Sequence, residues 1–429
     1  MVNGELYYES ELRSRLEKTY SFSSASDSEM AIALYKRYGT DFLEHLRGEF
    51  SLVLYDGKTQ KLVVARDRLG VKPLHYGVFD GRLLVATQCK GIVELLQNKD
   101  QVRWDVKCVA QGGGHYSNRT FFEGIKKVPP GHVLVVHQNS IDQLEFTPYW
   151  RTRYPENSGN TDNRPTEELV EALRTELLKA VRLRLVSSDV SIGVLLSGGV
   201  DSSAIAGMAA DMAKHRTEGD NSTTLQLPTC FTIGFPDDGD LDESAIAART
   251  AANLGLPFEK VVVTEQMLAD ELEESVWLGE ALLWDLQHVA KKVMSRHISS
   301  RGLKVVLNGD GSDELFGGYS FFASDRLLAD DEYRATSFQQ ATTEQRKSAQ
   351  RKHAGSANWF GAETALDEEQ SPYAKALGLP SAFSKLAVTI HHDWLPQELR
   401  ELGDPFEAIH EMFTPKEIEE MAKLHPMHR

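Results

Sequence analysis

The chain lacks the features that would tie it to an oxidising compartment, a zinc cluster or a bilayer. Only three of its 429 residues are cysteine, Cys89, Cys108 and Cys230. They are too few and too scattered for a disulfide framework, and no CxxC or Cys/His cluster has zinc spacing. No apolar run approaches the length of a membrane span, and the opening MVNGELYYESELR is acidic and polar, unlike the basic-then-apolar start of a signal peptide. There is no dense Lys/Arg block either. Lys plus Arg is 47 against 63 Asp plus Glu, a formal charge of −16, which argues against binding a nucleic-acid backbone but leaves room for a locally positive pocket holding a small anion. The expectation is a soluble, cytoplasmic protein with no nucleic-acid and no membrane partner.

What is present is ordinary for a folded chain: 41% hydrophobic and 26% charged residues, over a length that suits two or three domains. Residues 1–150 carry short β-prone runs. Phe50–Tyr55 and Lys61–Ala65 flank Asp56-Gly57, and Leu74–Phe79 and Arg82–Ala86 flank Asp80-Gly81. Each arrangement predicts a hairpin. His132–His137 and Glu145–Trp150 form a further short pair, with helices over Asp27–Tyr38 and Gly91–Gln97, so this half reads as α+β.

Residues 151–165, RTRYPENSGNTDNRP, read as a linker. From Thr166 strands alternate with helices. A helix carries Leu169, Val170, Leu173, Leu177, Val181 and Leu185 on one face. The strands Val190–Leu196, Thr229–Phe235, Phe258–Thr264 and Lys304–Leu307 are separated by helices over Ser202–His215, Asp242–Leu254 and Ala281–Ser300. Alternation of this kind implies a parallel sheet, with ligands beyond the C-terminal strand ends. Farther on, Ser337–Ala357 is polar and Gln-rich, and Phe413-Thr-Pro-Lys-Glu-Ile418 has the signature of a helix start.

Three strand ends carry chemistry. Val190–Leu196 runs into Ser197-Gly-Gly-Val-Asp-Ser-Ser203 and a helix. Gly198 and Gly199 permit a tight loop whose N–H groups face one anion, backed by a helix N-terminus; Ser197, Ser202 and Ser203 add hydroxyls. The loop lacks the Lys of GxxxxGK[ST] and is not a Walker A site. Asp201 suits phosphate only with Mg²⁺ between them, which makes it a metal-side ligand. The second loop, Asn308-Gly-Asp-Gly-Ser-Asp-Glu-Leu-Phe-Gly-Gly-Tyr319, crowds Asp310, Asp313 and Glu314 among glycines. Such carboxylates need a cation or proton to share, which fits Mg²⁺ binding, or ordering an amine nucleophile and moving its proton. The third is Thr229–Phe235, where Ile233 either packs on a nucleobase or belongs to the core. Cys230 reads as a buried thiol.

These residues resemble the glutamine-dependent asparagine synthetase family. SGGVDSS and GDGSDELFGGY match its ATP-pyrophosphatase-type synthetase domain. Asn3-Gly-Glu-Leu-Tyr7, Ser26-Asp-Ser-Glu29, Leu46-Arg-Gly-Glu-Phe50 and Arg66–Leu74 match its N-terminal-nucleophile (Ntn-hydrolase) glutaminase domain. The resemblance implies an αββα glutaminase-like α+β domain over 1–150, the linker 151–165, and an α/β parallel-sheet ATP-pyrophosphatase domain over 166–429. It implies that ATP and Mg²⁺ adenylate a carboxylate, aspartate in the family, and that ammonia from glutamine then forms the amide. An amidating or cyclising ligase on another carboxylate, similar to β-lactam synthetase, and an inactive nucleotide-binding partner are the competing readings. By the match, Ser197–Ser203 takes pyrophosphate and Leu196, Ile233, Asn308 and Gly309 contact nucleotide. Asp201 and Asp313 hold the metal. Asp310 stands where the family has a catalytic Glu, and Asn3, Gly4, Glu5 and Asp27 bind glutamine. A homodimer is the family's expectation. The resemblance also implies a chain shortened at both ends. The family's N-terminal cysteine has no counterpart before Asn3, Cys89 and Cys108 do not match it, and its Pro-Phe-Leu-Asp motif and Lys-bearing helix have none before Arg429.

Overall fold

A computed structural model gives the fold. It describes residues 1–319 except 9, 112–116, 138–139, 142, 153–163, 189, 215–225, 237–241 and 282–284, and beyond them residues 342, 344–345, 397–400, 402 and 416. Most of the linker, the Gln-rich segment and all but Lys416 of the helix expected from Phe413 lie outside the described residues.

In chain order the elements begin with β1 (Val2–Leu6), α1 (Ser10–Glu17), α2 (Ser28–Tyr38), β2 (Gly48–Asp56), β3 (Lys61–Arg66), β4 (His75–Phe79), β5 (Arg82–Ala86), α3 (Cys89–Leu95) and α4 (Val106–Ala110). Then come β6 (Lys126–Lys127), β7 (His132–His137), β8 (Phe146–Pro148), α5 (Thr166–Ser187), β9 (Ile192–Leu195), α6 (Val200–Lys214), β10 (Thr229–Gly234) and α7 (Ser244–Leu254). They continue with β11 (Phe258–Val262), α8 (Glu265–Gly279), α9 (Gln287–Ser300), β12 (Val305–Leu307) and α10 (Ser312–Phe316), and the last described is a short helix α11 (Gln397–Arg400).

The chain divides into two compact units, one of Met1–Lys72, Val133–Val135 and Asn163–Asp310, the other of Pro73–His132, Val136–Asp162 and Gly311–Arg429. In the first, β1 pairs antiparallel with β2 and β2 with β3, with β7 beyond β3. The hairpin expected around Asp56-Gly57 is present. In the second, β4 and β5 form the other expected hairpin, with β6 on the far side of β4. There Cys89, Ile92 and Ile125 form a small core with Phe79, Leu84 and Phe122. The mixed, mainly antiparallel first half is the α+β, glutaminase-like arrangement.

The parallel sheet lies in the first unit, in the order β11-β10-β9-β12. Cys230 pairs with Val194 and Leu307 with Val194, so β9 is held on both sides. Its faces bury different clusters because alternate residues point to opposite sides. Val194, Leu196 and Cys230 pack with Val181 and Leu185 of α5, Ala206, Ala209 and Ala210 of α6, and Ala247 and Ala251 of α7. Phe231, Val261 and Val263 pack with Ala290, Val293, Met294 and Ile298 of α9. Small Ala residues let α6 and α7 approach the sheet closely. This is the expected nucleotide-binding α/β half. No described helix is long and apolar enough to cross a membrane.

Some local expectations shift. Val170 and Leu173 are exposed, because only the C-terminal half of α5 carries buried residues, Val181, Leu183 and Leu185. The helix expected from Ala281 is seen from Gln287. α8 has no counterpart among the expected elements, although the Thr264 hydroxyl caps it by accepting the Met267 N–H at 3.2 Å.

Phe231 is the largest side chain buried on the α9 face. Phe231→Ala is expected to cost about 3–5 kcal/mol in urea unfolding. Val262→Ala, at a position 47% exposed, should change stability by no more than about 0.5 kcal/mol.

Candidate nucleotide and pyrophosphate site

β9 continues one step past its last paired residue. The Leu196 N–H donates to the Phe231 carbonyl at 2.8 Å, and the Leu196 side chain is buried in the core. The chain then turns through Ser197, Gly198 and Gly199 into α6. The serines shape this turn. Ser197 N–H donates to Ser202 Oγ at 3.0 Å, and the two hydroxyls lie 2.9 Å apart. Gly199 N–H donates to Ser197 Oγ at 3.1 Å, and Ser202 and Ser203 hydroxyls donate to the Gly199 carbonyl at 3.3 and 2.7 Å. The hydroxyls expected to face an anion therefore serve first to hold the loop.

The N–H of Gly198 points elsewhere. It donates at 2.8 Å to Oε2 of Glu243, 45 residues downstream and immediately before α7. A carboxylate oxygen thus already occupies the acceptor position of one loop N–H. Glu243 was not singled out in the sequence, where no linear pattern ties it to the loop.

The second loop approaches the first directly. A Cβ added at Gly309 would lie 2.9 Å from both Asp201 Cβ and the Ser202 nitrogen. Only glycine fits at that separation. Asp201 is half-buried in the first turn of α6, and Asn308 Nδ2 donates to Asp310 Oδ2 at 2.8 Å. The structure thus gathers Ser197–Ser203, Asn308, Gly309 and Asp310. Ile233 is half-buried at the end of β10, packed against the Phe231 cluster. Asp313 and Glu314 lie in α10, which belongs to the second unit; there the Tyr319 hydroxyl donates to Glu314 at 2.9 Å.

The glutamine-matching residues form a separate group in the first unit. Asn3 and Glu5 share the exposed face of β1, with Gly4 between them paired to Phe50. Asp27 joins them: its Oδ2 accepts the Leu6 N–H at 2.7 Å. The turn before Asp27 is tied down by buried Glu29. That carboxylate accepts from Tyr20 hydroxyl at 3.0 Å, from Ser23 N–H and hydroxyl at 2.8 and 2.9 Å, and from Ser24 N–H and hydroxyl at 2.8 and 2.6 Å. These bonds, those from Ser24 and Ser23 foremost, hold Glu29 down at about 2. A further tie joins β1 and β2 to α5. Arg184 donates to Glu49 at 2.8 Å, Tyr7 hydroxyl donates to the other Glu49 oxygen at 3.1 Å, and the guanidinium lies over the Tyr7 ring at 4.8 Å. Burial, then Glu49, pushes the Tyr7 hydroxyl above its usual range.

All three cysteines are buried and outside any disulfide, and burial pushes the Cys230 thiol up to about 11. It is a core group and not a nucleophile.

A Ser-Gly-Gly turn from a parallel strand into a helix, an acidic glycine loop packed on it at the neighbouring strand end, and an Asn-Gly-Glu strand in an antiparallel sheet are the arrangement of a nucleotide-binding-type α/β half joined to a glutaminase-like half. Family models agree with both parts. That for asparagine synthase matches residues 172–414, and that for the glutamine amidotransferase domain matches residues 1–150. The amidase chyE of Penicillium rubens is 41% identical over 350 residues, 81% of this chain and 51% of that protein. The amidase chry2 of Gibberella zeae is 41% identical over 334 residues, 77% of this chain and 49% of that protein. Asparagine synthetase B of Escherichia coli is 31% identical over 329 residues, 75% of this chain and 52% of that protein. The chain belongs to the asparagine synthase family, and it spans about half the length of the curated relatives it matches.

Two substitutions test this geometry. Gly309→Ala should push the second loop off Asp201 and Ser202, cost about 1–3 kcal/mol of stability, and weaken binding of a non-hydrolysable ATP analogue about tenfold by calorimetry. Glu29→Gln should lower the melting temperature at pH 7. Glu29 sits lower in the fold, at about 2, than its ordinary 4.5, so its contribution is complete above pH 4.5 and is lost as pH falls toward 2. The gap in melting temperature between the two proteins should close across that window; a gap that stays constant contradicts the assignment.

Proposed function

We propose that this chain carries the ATP-using centre of an amide-forming ligase. The observation that supports it most is the Gly198 N–H, at the end of a parallel strand, held on a carboxylate oxygen where a pyrophosphate oxygen is expected. Gly309 supplies the second support, since its bare Cα lets the acidic loop close on the same turn. The residues fit a phosphate-bearing ligand on both counts.

In this reading a carboxylate oxygen attacks the α-phosphorus of ATP and the bond to pyrophosphate breaks. The nitrogen of ammonia then attacks the acyl carbon, AMP leaves with the bonding pair, and a proton is lost from nitrogen. Ser197, Gly198, Gly199, Ser202 and Ser203 hold the pyrophosphate through backbone N–H groups and the start of α6. Leu196, Ile233, Asn308 and Gly309 flank the nucleoside. Asp310, one methylene shorter than the family's Glu and held by Asn308, works at the reacting carboxyl. Asp201 would hold Mg²⁺, which when bound offsets phosphate charge. Asn3, Gly4, Glu5 and Asp27 take glutamine, with free ammonia as the other nitrogen source. The division at 150 and 166, a homodimer and a cytoplasmic setting belong to the same proposal.

Aspartate is the first candidate for the carboxylate. A second reading, an amidating ligase on a different carboxylic acid, is favoured by the higher identity to two proteins described as amidases, 41% against 31% for asparagine synthetase B. The Asp310-for-Glu exchange agrees with it. The test is pyrophosphate release from ATP, Mg²⁺ and ammonia, with L-aspartate or each of a panel of carboxylic acids. Aspartate-dependent release supports the first reading, and release with another acid alone supports the second. Bound ATP with no release from any acid contradicts a ligase and leaves a nucleotide-binding partner.

A further inference from the structure

Glu243 lies outside every motif, yet its carboxylate sits on the loop proposed to take pyrophosphate. A Cβ added at Gly198 would lie 3.1 Å from its Oε2, 3.2 Å from its carboxyl carbon and 3.3 Å from its Cβ. The whole side chain therefore lies along the bare face of Gly198. The turn that presents it is anchored on both sides. Asp242 accepts from the Lys260 ammonium and from the Ser244 N–H, each at 2.8 Å, and the Glu243 carbonyl accepts the N–H groups of Ile246 and Ala247 that start α7. Glu243 is thus fixed at the main chain, and only its side-chain torsions are free to move it.

A carboxylate in that place satisfies the Gly198 N–H when no ligand is bound. It also sets a full negative charge beside the N–H that a phosphate oxygen needs, with Asp201 in the same loop. A bare polyanion arriving there meets like charge at close range. A divalent cation carried with the anion removes that penalty. Resting on the proposed reading of the loop, we infer that Glu243 is a specificity-determining residue: it makes the loop accept pyrophosphate groups as their Mg²⁺ complex and reject the free anion.

Calorimetric titration of the full chain with inorganic pyrophosphate tests this, once with MgCl₂ and once with EDTA. Wild-type protein should bind the Mg²⁺ complex at least about tenfold more tightly than the free anion. Glu243→Gln keeps the length and an amide oxygen for the Gly198 N–H but removes the charge. It should bind free pyrophosphate about ten- to a hundredfold better than wild type, with less change for the Mg²⁺ complex, so that the ratio collapses. Glu243→Ala should collapse it too, and Glu243→Asp, which keeps the charge, should retain it. An unchanged ratio in Glu243→Gln and Glu243→Ala overturns the inference while leaving the loop assignment intact. Wild-type protein that binds pyrophosphate in neither condition overturns the loop assignment, and the inference with it.

Discussion

The contact on which the rest of the site depends is the approach of the Gly309 backbone to Asp201 and Ser202. It exists because β9 lies between β10 and β12 and pairs with both in parallel. Parallel pairing brings successive strand ends out on the same edge, so the loops that follow β9 and β12 emerge side by side. The register then fixes which residues meet. With Leu307 opposite Val194, the chain after β12 reaches the first turn of α6 at Gly309. A slip of one residue would bring Asn308 or Asp310 to that place, and a side chain there would force the loops apart.

The chain is acidic overall, and the side chains gathered around the loop are Asp201, Glu243 and Asp310. The candidate anion donors are the backbone N–H of Gly198 and those at the start of α6, with the helix dipole behind them. The three serines hold those groups in place. A backbone cradle ringed by carboxylates has a built-in demand for a cation, and this differs from a Walker-type site whose lysine brings its own positive charge. Lys260 lies on β11, opposite Thr232 of β10, and its ammonium is bonded to Asp242, which that hydrogen bond holds at about 2.

Much of this was legible in the sequence. The hairpins showed because β-prone runs flank Asp-Gly pairs, and the parallel sheet showed because apolar strands alternate with helices. The Ser197–Ser203 loop and the acidic loop that starts at Asn308 were legible as candidates because each is contiguous. Other parts were not. β1 contains Gly4 and no strong β-former beyond Val2; it is a strand because β2 pairs with it, and tertiary pairing overrode propensity. The apolar stripe on α5 overstated burial at Val170 and Leu173, since a stripe records what a helix offers and not how far its neighbours reach. Glu243 acts across 45 residues, and Glu29 acts through a turn of serines that looks like any polar loop. Contacts of that kind have no spacing to read.

The most direct measurement of the central claim is hydrogen exchange with and without a non-hydrolysable ATP analogue and Mg²⁺. Slowed exchange is expected in two segments together, residues 196–203 and 308–310, with little change in β1–β3. Slowed exchange confined to one of the two segments, or to neither while the analogue is bound, would contradict a single nucleotide site built from both strand ends.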